Sequence, residues 1–534
     1  MLMLCCAVFL LAACGGKPEA KGDGADERIL FIGNSREPNT LDPHISGSWA
    51  ALRIKDGIFE GLLTVDGKSL EPIPGVAERW DVSEDKTRYH FYLRPDASWS
   101  DGIPVTANDF KESFRRALSP ELGSDMPKLF LYNIVGAEDF HEGRLSDFKK
   151  VGIEVLSDRE LQIDIRNPDP YFLHALTYFF PVPIHRVEQL GTLTDRSNAW
   201  SRELPLVSNG PFLLQSWTSH DRIILRKNFQ YWDKDRVRIR EIHLLPIDSV
   251  VTEELAFRRG ELDVTTKVPP SRIKHYQQEQ SKLLHMDPLL GVFFLQLNLE
   301  VDALKSRTVR QALHYSLNKE LLLKGVLKDG KEAADFLVPP PLLPMPASVE
   351  PAAFQPERAR QLLRDAGYPE GRGFPPIKLY YNTSETYRQL MEAIQSMWRK
   401  ELGIEVELVN QEWSVFVNSM DAGNFDIGRY GFIPPYPDPK AMFRIMTSDG
   451  YGNFTHWGSR EYDAILAQVE AGGSEALLER CNAILFEESP IIPIFYYNAV
   501  YLKNEDLQGW HSNLMDRHPF KALFWEKNAE NEAK

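Results

Sequence analysis

Cysteine is nearly absent from this chain of 534 residues: Cys5, Cys6, Cys14 and Cys481 are the only four. Three of them fall in the first fourteen residues, so beyond that point Cys481 stands alone, and neither an internal disulfide nor a cysteine zinc cluster can form. Enzyme signatures are missing as well. The sequence has no G-x-S-x-G elbow, no phosphate-cradling G-x-x-x-x-G-K-[ST] and no H-E-x-x-H metal helix. Gly371-Arg372-Gly373 opens onto Phe374-Pro375-Pro376, which reads as a turn and not a dinucleotide loop. The 13 histidines are scattered singly, and acidic pairs such as Glu487-Glu488 read as solvated helix faces. Nothing builds a reaction centre, so no enzyme activity, cofactor or metal is expected. Positive charge is also in short supply. With 61 Lys and Arg against 76 Asp and Glu, the net charge of -15 argues against a nucleic-acid or anionic-membrane surface and leaves small solutes or other proteins as partners.

What is present begins with an uncharged apolar run from Met1 to Leu10, followed by Leu11-Ala12-Ala13-Cys14-Gly15-Gly16. The run is too short to span a bilayer, no later stretch reaches spanning length, and Gly15, Gly16 and Pro18 would break a buried helix at once. Small residues directly before Cys14 suit a peptidase that cuts at a thiol. The segment resembles bacterial lipoprotein signals, which implies cleavage of residues 1–13, acylation of Cys14 and membrane contact through that lipid alone. It departs from them in having no Lys or Arg ahead of the apolar run, which points to a start codon further upstream. Residues 15–27 are Gly, Ala, Lys, Asp and Glu with one Pro, a composition that buries too little apolar surface to fold and reads as a tether. The globular part is expected from near Arg28. At 43% hydrophobic and 11% aromatic it can fill a large core in more than one lobe.

Strand-like alternation in Tyr89–Leu93, Glu160–Ile165 and Arg222–Leu225 is interleaved with helical periodicity over Ala107–Leu118, Arg307–Val326, Pro356–Ala366, Thr386–Leu402 and Ser459–Val469. Thr106 is placed to cap the first of these helices, with Asp109 in its first turn, and Pro356 and Gly367 bracket the third. Such interleaving predicts α/β or α+β lobes. The Pro-rich run Val338–Pro346 reads as a fixed loop.

Several segments, in order, resemble the peptide-binding branch of extracytoplasmic solute-binding proteins, the receptors of ABC importers. Trp99-Ser100-Asp101-Gly102-Ile103-Pro104-Val105-Thr106-Ala107-Asn108-Asp109-Phe110 is similar to that family's W-x-D-G-x-P-V-T-A-x-D-F signature. Leu41-Asp42-Pro43-His44, Phe59-Glu60-Gly61-Leu62, Val76–Trp80, Asn209–Phe212 and Gly260–Asp263 recur in matching order. Tyr381-Asn382-Thr383-Ser384 and Val409-Asn410-Gln411-Glu412-Trp413 are similar to the oligopeptide-binding members in particular. The signature around Trp99 has an architectural explanation of its own: an aromatic anchor at a tight turn, Gly102 tolerating positive φ, and a capped helix carrying Phe110 and Phe114 inward.

The resemblance implies an α/β, two-lobed clamshell of the periplasmic-binding-protein type (cluster C), with an extra small domain on the first lobe. The implied division is 28–59, 183–286 and 492–534 for the first lobe, 60–182 for the extra domain and 287–491 for the facing lobe. It also implies a monomer that catalyses nothing, captures an oligopeptide-like solute and hands it to ABC permease and ATPase subunits. By the same resemblance, Gly431, Phe432 and Ile433 present a strand backbone to the peptide, Gly47, Ser48 and Trp49 oppose it, and Arg429 meets a carboxylate. Trp413, Asn382 and Tyr436 line the pocket. An ion pair of Arg429 with Asp426 and a core position for Trp413 are the competing readings.

One departure concerns the amino end of the ligand. Peptide-binding members hold the α-ammonium with an aspartate in an A-D-Y run, and matching through Arg429 and Gly431 places Pro435 there. Gly47 and Met126 likewise fall at a glutamate and a tyrosine position. Asp438, three residues on, is the candidate substitute if the loop is rearranged. The same fold binding an amine-blocked peptide, oligosaccharide or opine, and an envelope chaperone, are the alternatives to peptide import.

Overall fold

The computed structural model describes residues 28–526 except 341, 347, 348 and 350–353; the proposed leader, tether and Cys14 lie outside the described residues. The first lobe is built on a four-stranded sheet in the order Leu30–Gly33, Glu241–Leu245, Arg222–Lys227, Phe212–Thr218. Its first pair is parallel and the rest antiparallel. A separate antiparallel sheet, in the order Ala77–Val82, Arg88–Leu93, Glu160–Asp164, Ile153–Ser157, forms the small unit. Against it packs the helix Ala107–Ala117, where Thr106 and Asp109 form a reciprocal capping box and Phe110 and Phe114 are fully buried. Gly102, at φ +89°, makes the turn that lets Trp99 bury completely.

The facing lobe holds a six-stranded mixed sheet, in the order Glu332–Ala333, Ile491–Leu502, Leu284–Leu297, Ile427–Phe432, Ile377–Asn382, Val406–Gln411. Two of these strands are much longer than the rest. Leu284–Leu297 and Ile491–Leu502 pair antiparallel on both sides of a register break between Pro288 and Val292, with a second irregularity between Phe293 and Phe294. On one side of that break Val292–Gln296 pairs with Ile491–Tyr496 inside the six-stranded sheet. On the other, Leu284–Pro288 pairs with Asn498–Leu502, and Leu502 is hydrogen-bonded to Thr265 of the first lobe.

The hydrophobic cores follow the same division. One joins Leu30, Ile32, Phe110, Phe172 and Ile242 to Tyr501, Phe520 and Trp525 from the C-terminal stretch. Two others centre on the facing lobe, one around Leu295, Trp398 and Ile427, the other around Phe294, Met442 and Tyr462. Val65 and Leu70, from the hairpin region of the first body, pack into the last of these.

The helix expected over Arg307–Val326 is instead broken: Arg307–Tyr315 ends, and a new helical turn starts at Lys319. The cause is local. Ser316 Oγ donates back to Leu313 O at 2.9 Å, and the Asn318 side chain accepts from Leu321 N at 2.9 Å, so each diverts backbone groups from the helix ladder. Cys481 is a free, fully buried thiol, and burial pushes its pKa up to about 12, so it behaves as a small apolar side chain.

Candidate functional site

Three neighbouring strands of the facing lobe end side by side. Ile377–Asn382 runs parallel to both Val406–Gln411 and Ile427–Phe432, with Asn382 level with Gln411. Each of the first two leads straight into a helix: Ser384 caps Glu385–Leu402, and Glu412 caps Trp413–Asp421, its carboxylate accepting from Ser414 N at 2.7 Å. The carboxyl ends of parallel strands are where sheets of this kind place ligands.

Arg429 sits at that edge. Its side chain is 92% withdrawn from solvent, since only 8% remains exposed. The guanidinium lies over the rings of Tyr387, Phe416 and Trp413 at 4.8, 5.0 and 5.2 Å, and Nη2 donates to Asn382 Oδ1. Burial lowers the Arg429 pKa, and Nε has no hydrogen-bond partner. Among the described residues no carboxylate reaches it. Asp426, the alternative ion-pair partner, instead accepts from Lys378 N at 2.8 Å. The cation is therefore stabilised by ring faces and one amide, with donor capacity to spare.

Trp413 is 55% exposed, so it forms a wall and not a core residue. Beside it, Ile427–Phe432 is paired along one edge with Leu297–Val292 throughout. On its other edge the pairing to Leu379 and Tyr380 stops at Gly428, so from Arg429 onward that edge has no strand neighbour among the described residues. A β-carbon at Gly431 would collide with the Tyr497 hydroxyl, which explains the glycine. Phe432 is buried, edge-on to Tyr451 at 6.5 Å, and Ile433 lies just past the strand end.

Gly47, Ser48 and Trp49 belong to the first lobe. Ser48 caps the helix Trp49–Ile58 by accepting from Ala51 N at 3.2 Å, and Trp49 is 50% exposed at its start. No hydrogen bond joins them to 431–433 among the described residues. Tyr436 does cross between the lobes: its ring lies 6.4 Å from Tyr171 and 6.3 Å from Phe130. Asp438 caps the helix Pro439–Arg444, accepting from Lys440 N at 2.8 Å, and burial raises its pKa to about 7. Met126 starts a five-residue helix packed against the first core.

Sequence patterns gave no hint of Phe416, Tyr497 or the cross-lobe group Tyr171, Asp169 and Lys440. Tyr387 carried a faint signal, three residues after the Ser384 cap and so within reach of the strand end.

The sequence profile of bacterial extracellular solute-binding proteins, family 5 Middle, matches residues 71–454. The chain is 31% identical over 494 residues to the periplasmic oligopeptide-binding protein OppA of Escherichia coli (strain K12), covering 90% of this chain and 89% of that one. It is 30% identical over 523 residues to the oligopeptide-binding protein OppA of Bacillus subtilis (strain 168), covering 94% of each. Among solved structures, the unliganded open form of the periplasmic murein tripeptide-binding protein MppA superposes with a TM-score of 0.79 at 28% identity, covering 94% of this chain and 98% of that one. Haemophilus influenzae OppA in complex with RPPGFSPFR gives a TM-score of 0.76 at 28% identity, over 93% and 99%. A two-lobed α/β fold, with the profile matched over most of its length, makes this chain a member of the family 5 bacterial extracellular solute-binding proteins, which bind solutes and are not enzymes.

Proposed function

We propose that this chain is a lipid-anchored extracytoplasmic receptor that closes its two lobes on an oligopeptide-like solute and delivers it to an ABC permease. The observation that carries the reading is the unpaired Arg429 cation, buried under three rings beside an open strand edge. A planar guanidinium with spare donors suits a carboxylate, and an unpaired edge suits an extended backbone, so one ligand class satisfies both. Relatives named for oligopeptides and for a murein tripeptide support it. The lobes would divide as 28–59, 183–286 and 492–534, with 60–182 as the extra domain, against 287–491. The register break near Pro288 and its partner Asn498 supplies a hinge that needs few dihedral changes.

Pro435 and Asp438 favour a second form of this reading, in which the captured solute lacks a free amine. Pro435 offers no carboxylate, and Asp438 is already used as a helix cap. A desolvated ammonium without a partner costs several kcal/mol, on the order of the penalty for any unpaired buried ion. In calorimetry, an N-acetyl tripeptide should therefore bind at least as tightly as the free tripeptide. A strong preference for the free amine rejects the lost anchor and restores ordinary peptide import. Mass spectrometry of co-purified solute tests the class itself: a discrete peptide supports import, a sugar or opine the same fold with another cargo, and heterogeneous protein segments a chaperone.

The anchor has its own test. Mass spectrometry of the N-terminal peptide from the membrane fraction should show residues 1–13 removed and a diacylglyceryl group on Cys14, and an unmodified Cys14 or a retained leader would remove lipidation from the proposal.

A further inference from the structure

Unlike Arg429, whose partners all lie in the facing lobe, one charged group bridges the lobes. Lys440 belongs to the facing lobe, next to the buried Ala441, Met442 and Phe443, yet its ammonium lies 3.2 Å from Asp169 of the small unit. It is also 3.9 Å from Asp438 on its own lobe. The Lys440 side chain is 4% exposed, Asp438 2% and Asp169 21%. Rings from both sides complete the contact, with Tyr171 5.2 Å from the ammonium and Tyr436 packed on Tyr171. Lys440, Asp169 and Tyr436 line one wall of an inter-lobe cavity of about 260 Å³ that Arg166 and Arg444 also border. Those two cations are committed elsewhere, Arg166 to Glu138 at 2.9 Å and Arg444 to Glu470 at 2.6 Å.

We propose that Lys440 is a built-in counter-ion across the cleft, holding the lobes together and denying Asp169 and Asp438 to any cationic group of a ligand. The chemistry is competitive. Asp169 on the cavity lining, with Asp438 buried beside Lys440, would attract an ammonium from a solute, but here the chain supplies that ammonium itself, on a short tether and at high effective concentration. Burial raises the Asp438 pKa and the Lys440 charge opposes that rise, which is what a counter-ion does. The cavity so neutralised takes an uncharged or acidic ligand end and rejects a basic one.

The specificity half of this inference rests on the peptide-like reading above; the closure half does not. Spin labels on the two lobes of the ligand-free protein should therefore be read first. K440M should broaden the inter-lobe distances and lengthen their mean, while K440R retains the wild-type distribution. Identical distributions for wild type and K440M overturn the proposal. Calorimetry then compares a free tripeptide with its N-acetyl form. K440M should shift the affinity ratio toward the free amine by about tenfold or more, the size expected of one charge-assisted hydrogen bond. Adding D169N should remove that shift. An unchanged ratio in a K440M protein that still binds also overturns the proposal. If neither peptide binds any form, the peptide reading fails while the label distances still decide the bridge.

Discussion

Asp42→Ala should cost about 3–5 kcal/mol of stability, because it strands a buried guanidinium. Arg116 is fully buried and donates to both Asp42 oxygens, at 2.9 and 2.6 Å. Two further donors go to Leu193 O at 2.7 Å and His44 Nδ1 at 2.9 Å, and Trp200 Nε1 adds a hydrogen bond to Asp42 at 3.2 Å. Among the described residues Asp42 is the only carboxylate that forms an ion pair with it. Urea denaturation should show the loss, and the double variant with Arg116→Met should recover part of it, since the uncompensated charge goes too. Equal stability of the single variant and wild type would refute this account. The same cluster sets an acid limb. Burial and then Arg116 lower the His44 pKa to about 3, so His44 is neutral when folded and takes up a proton on unfolding. The unfolded chain thus binds more protons between the ordinary histidine value and about 3, and wild-type stability should fall across that window as pH falls. Asp42, itself held below the ordinary carboxylate range against its burial by Arg116, extends the loss to lower pH.

That cluster shows which parts of the molecule its sequence made readable. Leu41-Asp42-Pro43-His44 was legible as a family segment, but its task of gripping a helix 74 positions away was not, because a buried ion pair leaves no periodicity. Phe59-Glu60-Gly61-Leu62 is similar: Glu60 takes hydrogen bonds from Tyr231 and Trp232 and an ion pair from Lys521 at 3.2 Å. Gly260-Glu261-Leu262-Asp263 places a fully buried carboxylate that accepts from Phe31 N at 3.0 Å. These motifs hold the architecture together through buried hydrogen bonds and ion pairs. The helix Ala107–Ala117 was the easiest to place, since Thr106 caps it within three residues of itself. The break after Tyr315 was hard to place because its apolar period continues through it. At the site, Arg429, Asn382 and Trp413 were legible and do come together, while Tyr387 and Phe416 came from helices whose apolar residues look like any core face.

Arg429→Met should weaken binding of a carboxylate-bearing tripeptide by about 2–5 kcal/mol, roughly thirtyfold to several thousandfold in Kd. The size follows from what the ligand would leave behind: a carboxylate drawn out of water onto three rings and an amide, with no cation opposite it. Arg429→Lys should recover only part of the loss, because an ammonium lacks the planar fork that meets two oxygens. Comparing the tripeptide acid with its C-terminal amide separates this from general damage. Wild type should prefer the acid strongly, and the methionine variant should hardly distinguish the two. Stability supplies an independent reading. An arginine serving as a structural ion pair would destabilise the fold when lost, whereas a buried cation without a carboxylate partner already carries a desolvation penalty, visible in its lowered pKa. The ligand-free methionine variant should therefore melt no lower than wild type. Full acid-over-amide discrimination in that variant would remove Arg429 from the carboxylate site, and a large drop in its ligand-free melting temperature would make the residue a structural one.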